Sequence, residues 1–146
     1  MSVRSAAPTG ALEQIVWPRT ARRRDDGVVE IAGIGLDEIA ERFGTPAYVI
    51  DEADVRSRAR AYREAFARAF AVIGTQADVY YAGKAFLSSH VAQWVTEEGL
   101  RLDVCSGGEL AIAKKAGVPG ENIGMHGNNK GVAEIDDALA SVSYTH

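Results

Sequence analysis

Three side chains with distinct chemistry follow three successive apolar runs in this sequence. Lys84 comes two residues after the run that ends at Ala82, Asp103 lies within the next run, and His126 ends the third. A lysine amine bonds covalently to a carbonyl group once it has lost its proton, and burial favours that neutral form. A lysine, an aspartate and a histidine that converge on one rim could therefore hold an electrophilic cofactor.

Each of the three residues also has a purely structural interpretation. Lys84 can be a surface lysine whose aliphatic stem covers apolar neighbours. Asp103 lies inside its run, so a buried carboxylate there would need a partner. His126 can be a hydrogen-bonded histidine at the end of a strand. The residue types alone leave both interpretations open.

Further polar groups stand in the loops after the second and third runs. Ser106 and Glu109 have the spacing of a capping box, in which Ser106 caps a helix and Glu109 bonds back to its backbone N–H. Gly107 and Gly108 could cradle a phosphate at the start of that helix, although a glycine pair there is common. Asn128 suits a turn or a helix cap without any ligand.

The elements that must position these residues alternate between strand and helix. Strands at 78–82, 102–105 and 123–126 alternate with helices at 88–98, 107–116 and 130–139. Three such units in a row require parallel strands joined by crossover helices, which defines the α/β class. In parallel α/β folds, functional residues collect at the carboxyl ends of the strands. The pattern leaves open whether the sheet closes into a barrel.

The sequence upstream of this alternation predicts four more elements. They are a strand at 28–31, a helix from 36 that Gly44 stops, a strand at 47–50 and a helix at 52–70. The last helix carries an apolar stripe at three- and four-residue steps: Val55, Ala59, Tyr62, Phe66 and Phe70. Residues 1–27 show no clear periodicity and are predicted to be a tail.

Composition excludes several classes of function. The net charge of −4 gives no general attraction to nucleic acid or to an anionic membrane. No apolar run approaches the roughly 18 residues that span a bilayer, and Walker A, dinucleotide-binding and zinc-binding motifs are missing. The one cysteine, Cys105, cannot form an internal disulfide, which fits a reducing compartment. We therefore predict a cytoplasmic protein without a metal site.

Four segments together resemble the diaminopimelate decarboxylase family. This family belongs to the pyridoxal-phosphate enzymes with an alanine-racemase-like barrel, which include ornithine and arginine decarboxylases. The segments are FGTPAYVID at 43–51, YAGKAF at 81–86, LDVCSGGEL at 102–110 and IGMHGNNK at 123–130. The likeness runs from about residue 28 to about residue 137, most of the chain.

The resemblance implies a cofactor and a set of residues that hold it. The cofactor is pyridoxal 5′-phosphate, and Lys84 is its covalent attachment point and the catalytic residue. Asp103, Glu109, His126 and Asn128 would line the same pocket as cofactor-binding residues. The implied reaction is the decarboxylation of meso-diaminopimelate to L-lysine, by a homodimeric enzyme of amino-acid biosynthesis.

The resemblance also implies how much of the fold this chain holds. A (β/α)8 barrel needs about 250 residues, so the 146 residues here would be its first part. A tail at 1–27 and a segment at 28–46 would lead into the barrel, which occupies 47–146. The N-terminal segment would pack with a C-terminal β domain. Residues 140–146 depart from the apolar strand that should come next, so we expect a truncated chain that is inactive alone.

Two other functions stay open on the sequence alone. A related decarboxylase of ornithine, arginine or a polyamine precursor would share these motifs, because the specificity residues lie mostly downstream. A barrel protein that binds pyridoxal phosphate without catalysis, or an inert fragment, would also carry Lys84. Sequence beyond His146 would separate an enzyme from an inactive product.

Overall fold

The computed structural model describes residues 12–141 and the backbone of 144–145. Two compact units divide the chain after Asp54, and each is described by itself. None of the helices among the described residues is long and apolar enough to cross a membrane.

The first unit is built on a small antiparallel sheet. Its strands, in spatial order, are β1 (Arg22–Arg23), β2 (Val29–Ile31) and β3 (Ile34–Gly35). Helix α1 (Leu36–Phe43) follows directly and ends at Gly44, whose φ of 79° is easy for glycine. The predicted helix and its stop are confirmed.

The tail predicted over residues 1–27 includes part of this sheet. Arg22 pairs with Glu30 and Arg23 with Val29, so residues 22–23 are ordered by backbone hydrogen bonds to β2. Residues 1–11 lie outside the described part of the chain. The domain boundary at residue 27 stays a prediction.

The strand predicted at 47–50 is wrong. A strand needs a neighbour that completes its backbone hydrogen bonds, and none of the described residues pairs with this segment. The segment instead leads directly into helix α2 (Glu52–Ala71). Asp51 caps this helix, because its Oδ1 accepts a hydrogen bond from the Asp54 N–H at 3.2 Å.

The second unit is a parallel sheet covered by helices, which confirms the predicted α/β class. The strands, in spatial order, are β4 (Tyr80–Ala82), β5 (Arg101–Val104), β6 (Ile123–Met125) and β7 (Tyr144–Thr145). The helices between them are α3 (Ser89–Glu97), α4 (Gly107–Lys115) and α5 (Val132–Ser141). All three strand pairs are parallel.

The core of this unit lies on one face of the sheet. Side chains alternate between faces along a strand, so Leu102 and Val104 share a face and both are fully buried. Burial of each such side chain stabilises the fold by about 1.5–3 kcal/mol. Ile123 and Met125 extend the core on β6. The other face of β5 carries Asp103 and its polar neighbours.

Two details of this unit differ from the prediction. Residues 140–146 were expected to depart from a strand, yet residues 144 and 145 pair with Gly124 and Met125. The ladder forms through backbone groups and does not require apolar side chains. Residues 142, 143 and 146 lie outside the described residues.

On α2, the predicted apolar stripe is only partly buried: Ala59 is buried, whereas Tyr62 is 63% exposed.

Candidate functional site

The Lys84 turn, residues Gly83–Ala85, follows β4 as one turn of 3-10 helix. It places the Lys84 side chain at the carboxyl end of the strand, where it is exposed to solvent. Beyond the turn, the backbone carbonyl of Phe86 accepts a hydrogen bond of 2.7 Å from the hydroxyl of Tyr81. The strand that precedes Lys84 is therefore bonded to the segment that follows it.

Gly83 brings the Lys84 turn close to the second junction. A Cβ atom at this position would lie 3.0 Å from the backbone carbonyl oxygen of Asp103 and 3.4 Å from Oε2 of Glu109. The first distance is shorter than ordinary van der Waals contact, so the absence of a side chain permits this approach. The sequence interpretation assigned no role to Gly83.

Asp103 and His126 meet at the ends of neighbouring strands. Asp103 pairs in register with Gly124, and His126 follows two residues later, so both side chains lie on the same face. Oδ1 of Asp103 forms a hydrogen bond with Nδ1 of His126. The carboxylate side chain is 15% exposed and the imidazole 44%. The partner that a buried Asp103 was expected to need is His126.

Glu109 acts within the second junction. Ser106 caps α4 as predicted, because its hydroxyl accepts a hydrogen bond of 3.3 Å from the Glu109 N–H. The expected return bond to Ser106 is wrong: Oε2 of Glu109 accepts from the N–H of Cys105 at 2.7 Å. Cys105 is the first residue beyond β5, so its N–H lies past the end of the strand and within reach of the carboxylate.

The pKa of the Cys105 thiol is shifted by the groups around this junction. The hydrogen bond of the thiol to Glu109 is the largest cause that raises the pKa of Cys105, followed by burial, while the nearby Lys84 ammonium lowers it. A raised pKa disfavours the thiolate, which is the reactive form of a cysteine.

Glu134 was missed by the sequence interpretation and joins two helix starts. Its Oε2 accepts a hydrogen bond from the Gly131 N–H at 2.9 Å, and its Oε1 accepts from the Gly107 N–H at 2.7 Å. The first bond is a capping pattern that the three-residue spacing could have indicated. The second depends on how α4 and α5 pack. A carboxylate of the chain thus takes the N–H of Gly107, one of two glycines considered for a phosphate.

The structure brings four of the five predicted site residues to one edge of the sheet. Lys84, Asp103 and His126 follow or end β4, β5 and β6, and Glu109 lies against the Lys84 turn. Asn128 lies on the third loop with an exposed side chain. Among the described residues, no hydrogen bond joins it to the other four. The arrangement combines a primary amine with an oriented carboxylate–imidazole pair.

Comparisons with known proteins match most of the chain. Residues 52–144 match the family described as "Pyridoxal-dependent decarboxylase, pyridoxal binding domain". The diaminopimelate decarboxylase of Mycobacterium tuberculosis is 54% identical over 124 residues, which cover 85% of this chain and 26% of that protein. The Bacillus subtilis enzyme of the same name is 48% identical over 120 residues, 82% of this chain and 26% of that protein.

Solved structures agree with the sequence comparisons. The crystal structure of diaminopimelate decarboxylase from M. jannaschii matches with a TM-score of 0.78 and 36% sequence identity. The match covers 88% of this chain and 30% of that one. The chain thus spans about a quarter of the length of the curated relatives that it matches.

Proposed function

This chain belongs to the pyridoxal-dependent decarboxylases, and we propose that the intact protein converts meso-diaminopimelate to L-lysine and carbon dioxide. The assignment of the substrate rests on the 54% identity to a relative named diaminopimelate decarboxylase. The same name belongs to the solved structure with a TM-score of 0.78. Loss of one carboxylate from diaminopimelate leaves lysine, so substrate and product follow from one another.

The residues at the sheet edge fit pyridoxal phosphate, the cofactor of this family. Its aldehyde needs a primary amine, which Lys84 supplies. Gly83 lets the backbone that carries this amine approach β5 closely, since a Cβ there would lie 3.0 Å from the Asp103 carbonyl oxygen. When bound, the cofactor supplies a ring that delocalises the electron pair left by departing carbon dioxide.

Lys84 is the residue that we assign to covalent attachment and proton transfer. Its amine must be neutral to bond a carbonyl carbon, and Nζ then holds or releases a proton as the amine is freed or bonded. An arginine could not replace it, because the guanidinium keeps its charge at all physiological pH values. The exposed position of the Lys84 side chain leaves it accessible to a ligand.

The remaining residues orient the pocket. Asp103 bonds the imidazole of His126 through Nδ1, which restrains the ring at the carboxyl edge of the sheet. Glu109 holds the second junction through the Cys105 N–H and lies against Gly83. We therefore propose that Glu109 supports the Lys84 turn. Three further residues would line the cofactor pocket: Asp103, His126 and Asn128.

A comparison of turnover among three substrates tests the proposed reaction. The intact protein, loaded with pyridoxal phosphate, is offered meso-diaminopimelate, ornithine or arginine, and released carbon dioxide and the amine product are measured. We expect L-lysine from diaminopimelate and much slower turnover of the other two. Faster turnover of ornithine or arginine would move the assignment to the related decarboxylases, and no turnover of any would favour a binding protein.

We also infer a homodimer in the cytoplasm. The dimer is supported by the family resemblance, and the cytoplasm by the free thiol of Cys105. Sedimentation of the intact protein measures its mass directly. A monomer at working concentration would contradict the dimer.

A further inference from the structure

A hydrogen bond encloses the Lys84 turn. The hydroxyl of Tyr81 donates to the backbone carbonyl of Phe86 at 2.7 Å, the ordinary length of a well-formed O–H···O bond. Tyr81 lies on β4, before the turn, and Phe86 lies directly after it. The bond therefore ties the two ends of the segment that carries Lys84.

The donor is anchored in the core of the second unit. The half-buried Tyr81 ring packs against the buried apolar cluster that includes Val95 and Leu100. A tyrosine hydroxyl, with a usual pKa of 10.0, keeps its proton at neutral pH and can donate, and burial raises the pKa of Tyr81 further. A donor fixed in this way restrains the Phe86 carbonyl relative to the sheet.

The other end of the turn is held by backbone packing. Gly83 is buried against the carbonyl of Asp103 and the carboxylate of Glu109. Lys84 lies between this packed end and the bonded end at Phe86. Its own side chain is exposed, so the position of Nζ depends on the backbone on which it stands.

We propose that Tyr81 is a positioning residue that presents Lys84 Nζ to the aldehyde of pyridoxal phosphate; this rests on the proposed function. In the attachment, Nζ bonds the aldehyde carbon as C=N and one molecule of water leaves. Tyr81 touches neither reacting atom. It acts through the Phe86 carbonyl, which limits the conformations of the turn.

Two ligands separate positioning of Lys84 from general support of the pocket. Pyridoxal phosphate bonds to Lys84, whereas pyridoxine 5′-phosphate carries an alcohol in place of the aldehyde and cannot. The intact protein, stripped of cofactor, is titrated with each ligand, and affinity is measured by absorbance or by competition. Tyr81→Phe keeps the ring in the core and removes only the hydroxyl. We expect it to bind pyridoxal phosphate about fivefold more weakly, the usual effect of one net hydrogen bond.

Binding of pyridoxine phosphate by Tyr81→Phe should match the wild type. Tyr80→Phe is the matched control, since it removes a hydroxyl from the adjacent position of the same strand. The Tyr80 hydroxyl lies 3.3 Å from a guanidinium nitrogen of Arg101, the first residue of β5. We expect wild-type affinity for both ligands in this variant.

A second comparison uses the Lys84→Ala background. Without the amine, Tyr81→Phe should change the affinity for pyridoxal phosphate by less than about twofold, because coupled residues are non-additive. The proposal would be overturned if Tyr81→Phe weakened the affinity for both ligands equally. It would also be overturned if Tyr81→Phe caused the full fivefold loss of affinity for pyridoxal phosphate in the Lys84→Ala background. Wild-type affinity of Tyr81→Phe for pyridoxal phosphate would overturn it too. Failure of the wild type to bond pyridoxal phosphate would instead contradict the proposed function.

Discussion

Gly83 makes the contact between the Lys84 turn and the neighbouring strand possible. Because a Cβ would lie 3.0 Å from the Asp103 carbonyl oxygen, Gly83→Ala must move one of the two backbones. We expect a loss of unfolding free energy of about 1–3 kcal/mol, the usual cost of overpacking. Weaker binding of pyridoxal phosphate should accompany it. Chemical denaturation and cofactor titration of the intact protein measure both effects.

Gly108→Ala is the matched control for this prediction. Gly108 lies in α4, where the nearest atom to an added Cβ is the Ser106 hydroxyl oxygen at 3.9 Å. An alanine there should be neutral or stabilise the helix by up to about 1 kcal/mol. Equal stability of Gly83→Ala and the wild type would show that the Lys84 turn is not tightly packed.

At the residue scale, the sequence predicted where the candidate side chains lie better than how they are bonded. The positions of Lys84, Asp103 and His126 at strand ends follow from the alternation of strands and helices. Glu109 was identified, but its bond to the Cys105 N–H depends on where the second strand stops. The spacing of residues in the sequence cannot distinguish a bond to Cys105 from a bond to Ser106, one residue away.

At the scale of elements, Glu134 fastens the start of α4 to the start of α5. Hydrogen bonds from the backbone N–H groups of Gly131 and Gly107, in that order, lower the pKa of Glu134 below its usual value of 4.5. A carboxylate whose pKa is lower when folded stabilises the native state above its unfolded pKa. That contribution is lost as the pH falls through the folded value.

Glu134→Gln should therefore destabilise the intact protein at pH 7, and its difference from the wild type should shrink as the pH falls below about 4.5. Denaturant midpoints over a pH series measure this difference. Glu121→Gln, at an exposed glutamate in the turn before β6, is the control and should match the wild type throughout. A constant deficit of Glu134→Gln at every pH would contradict the electrostatic account.

The elements themselves could be predicted where local signals and tertiary contacts agree. Helix α1 ends at Gly44 and helix α4 begins after Ser106, as their capping residues indicate. The segment 47–50 has the apolar composition of a strand but no pairing partner among the described residues. Pairing is a long-range event, so composition alone could not decide it.

At the scale of the whole molecule, the chain corresponds to one part of the longer proteins that it matches. The match spans about a quarter of its curated relatives, and the described residues supply a lysine, its supporting turn and a carboxylate–imidazole pair. Apolar side chains on the outer helices stay exposed here, such as Val132 at 76% and Leu139 at 65%. The family predicted from the motifs and the α/β class predicted from the alternation of strands and helices are confirmed.

Reductive trapping tests the central claim most directly. The intact protein is incubated with pyridoxal phosphate, reduced with borohydride and digested, and the modified peptide is located by mass spectrometry. We expect the pyridoxyl label on Lys84, its loss in Lys84→Ala and its retention in Lys130→Ala, a lysine of the third loop whose Nζ donates to the Gly127 carbonyl. A label that stays on the protein in Lys84→Ala, at Lys130 or at any other lysine, would contradict the account.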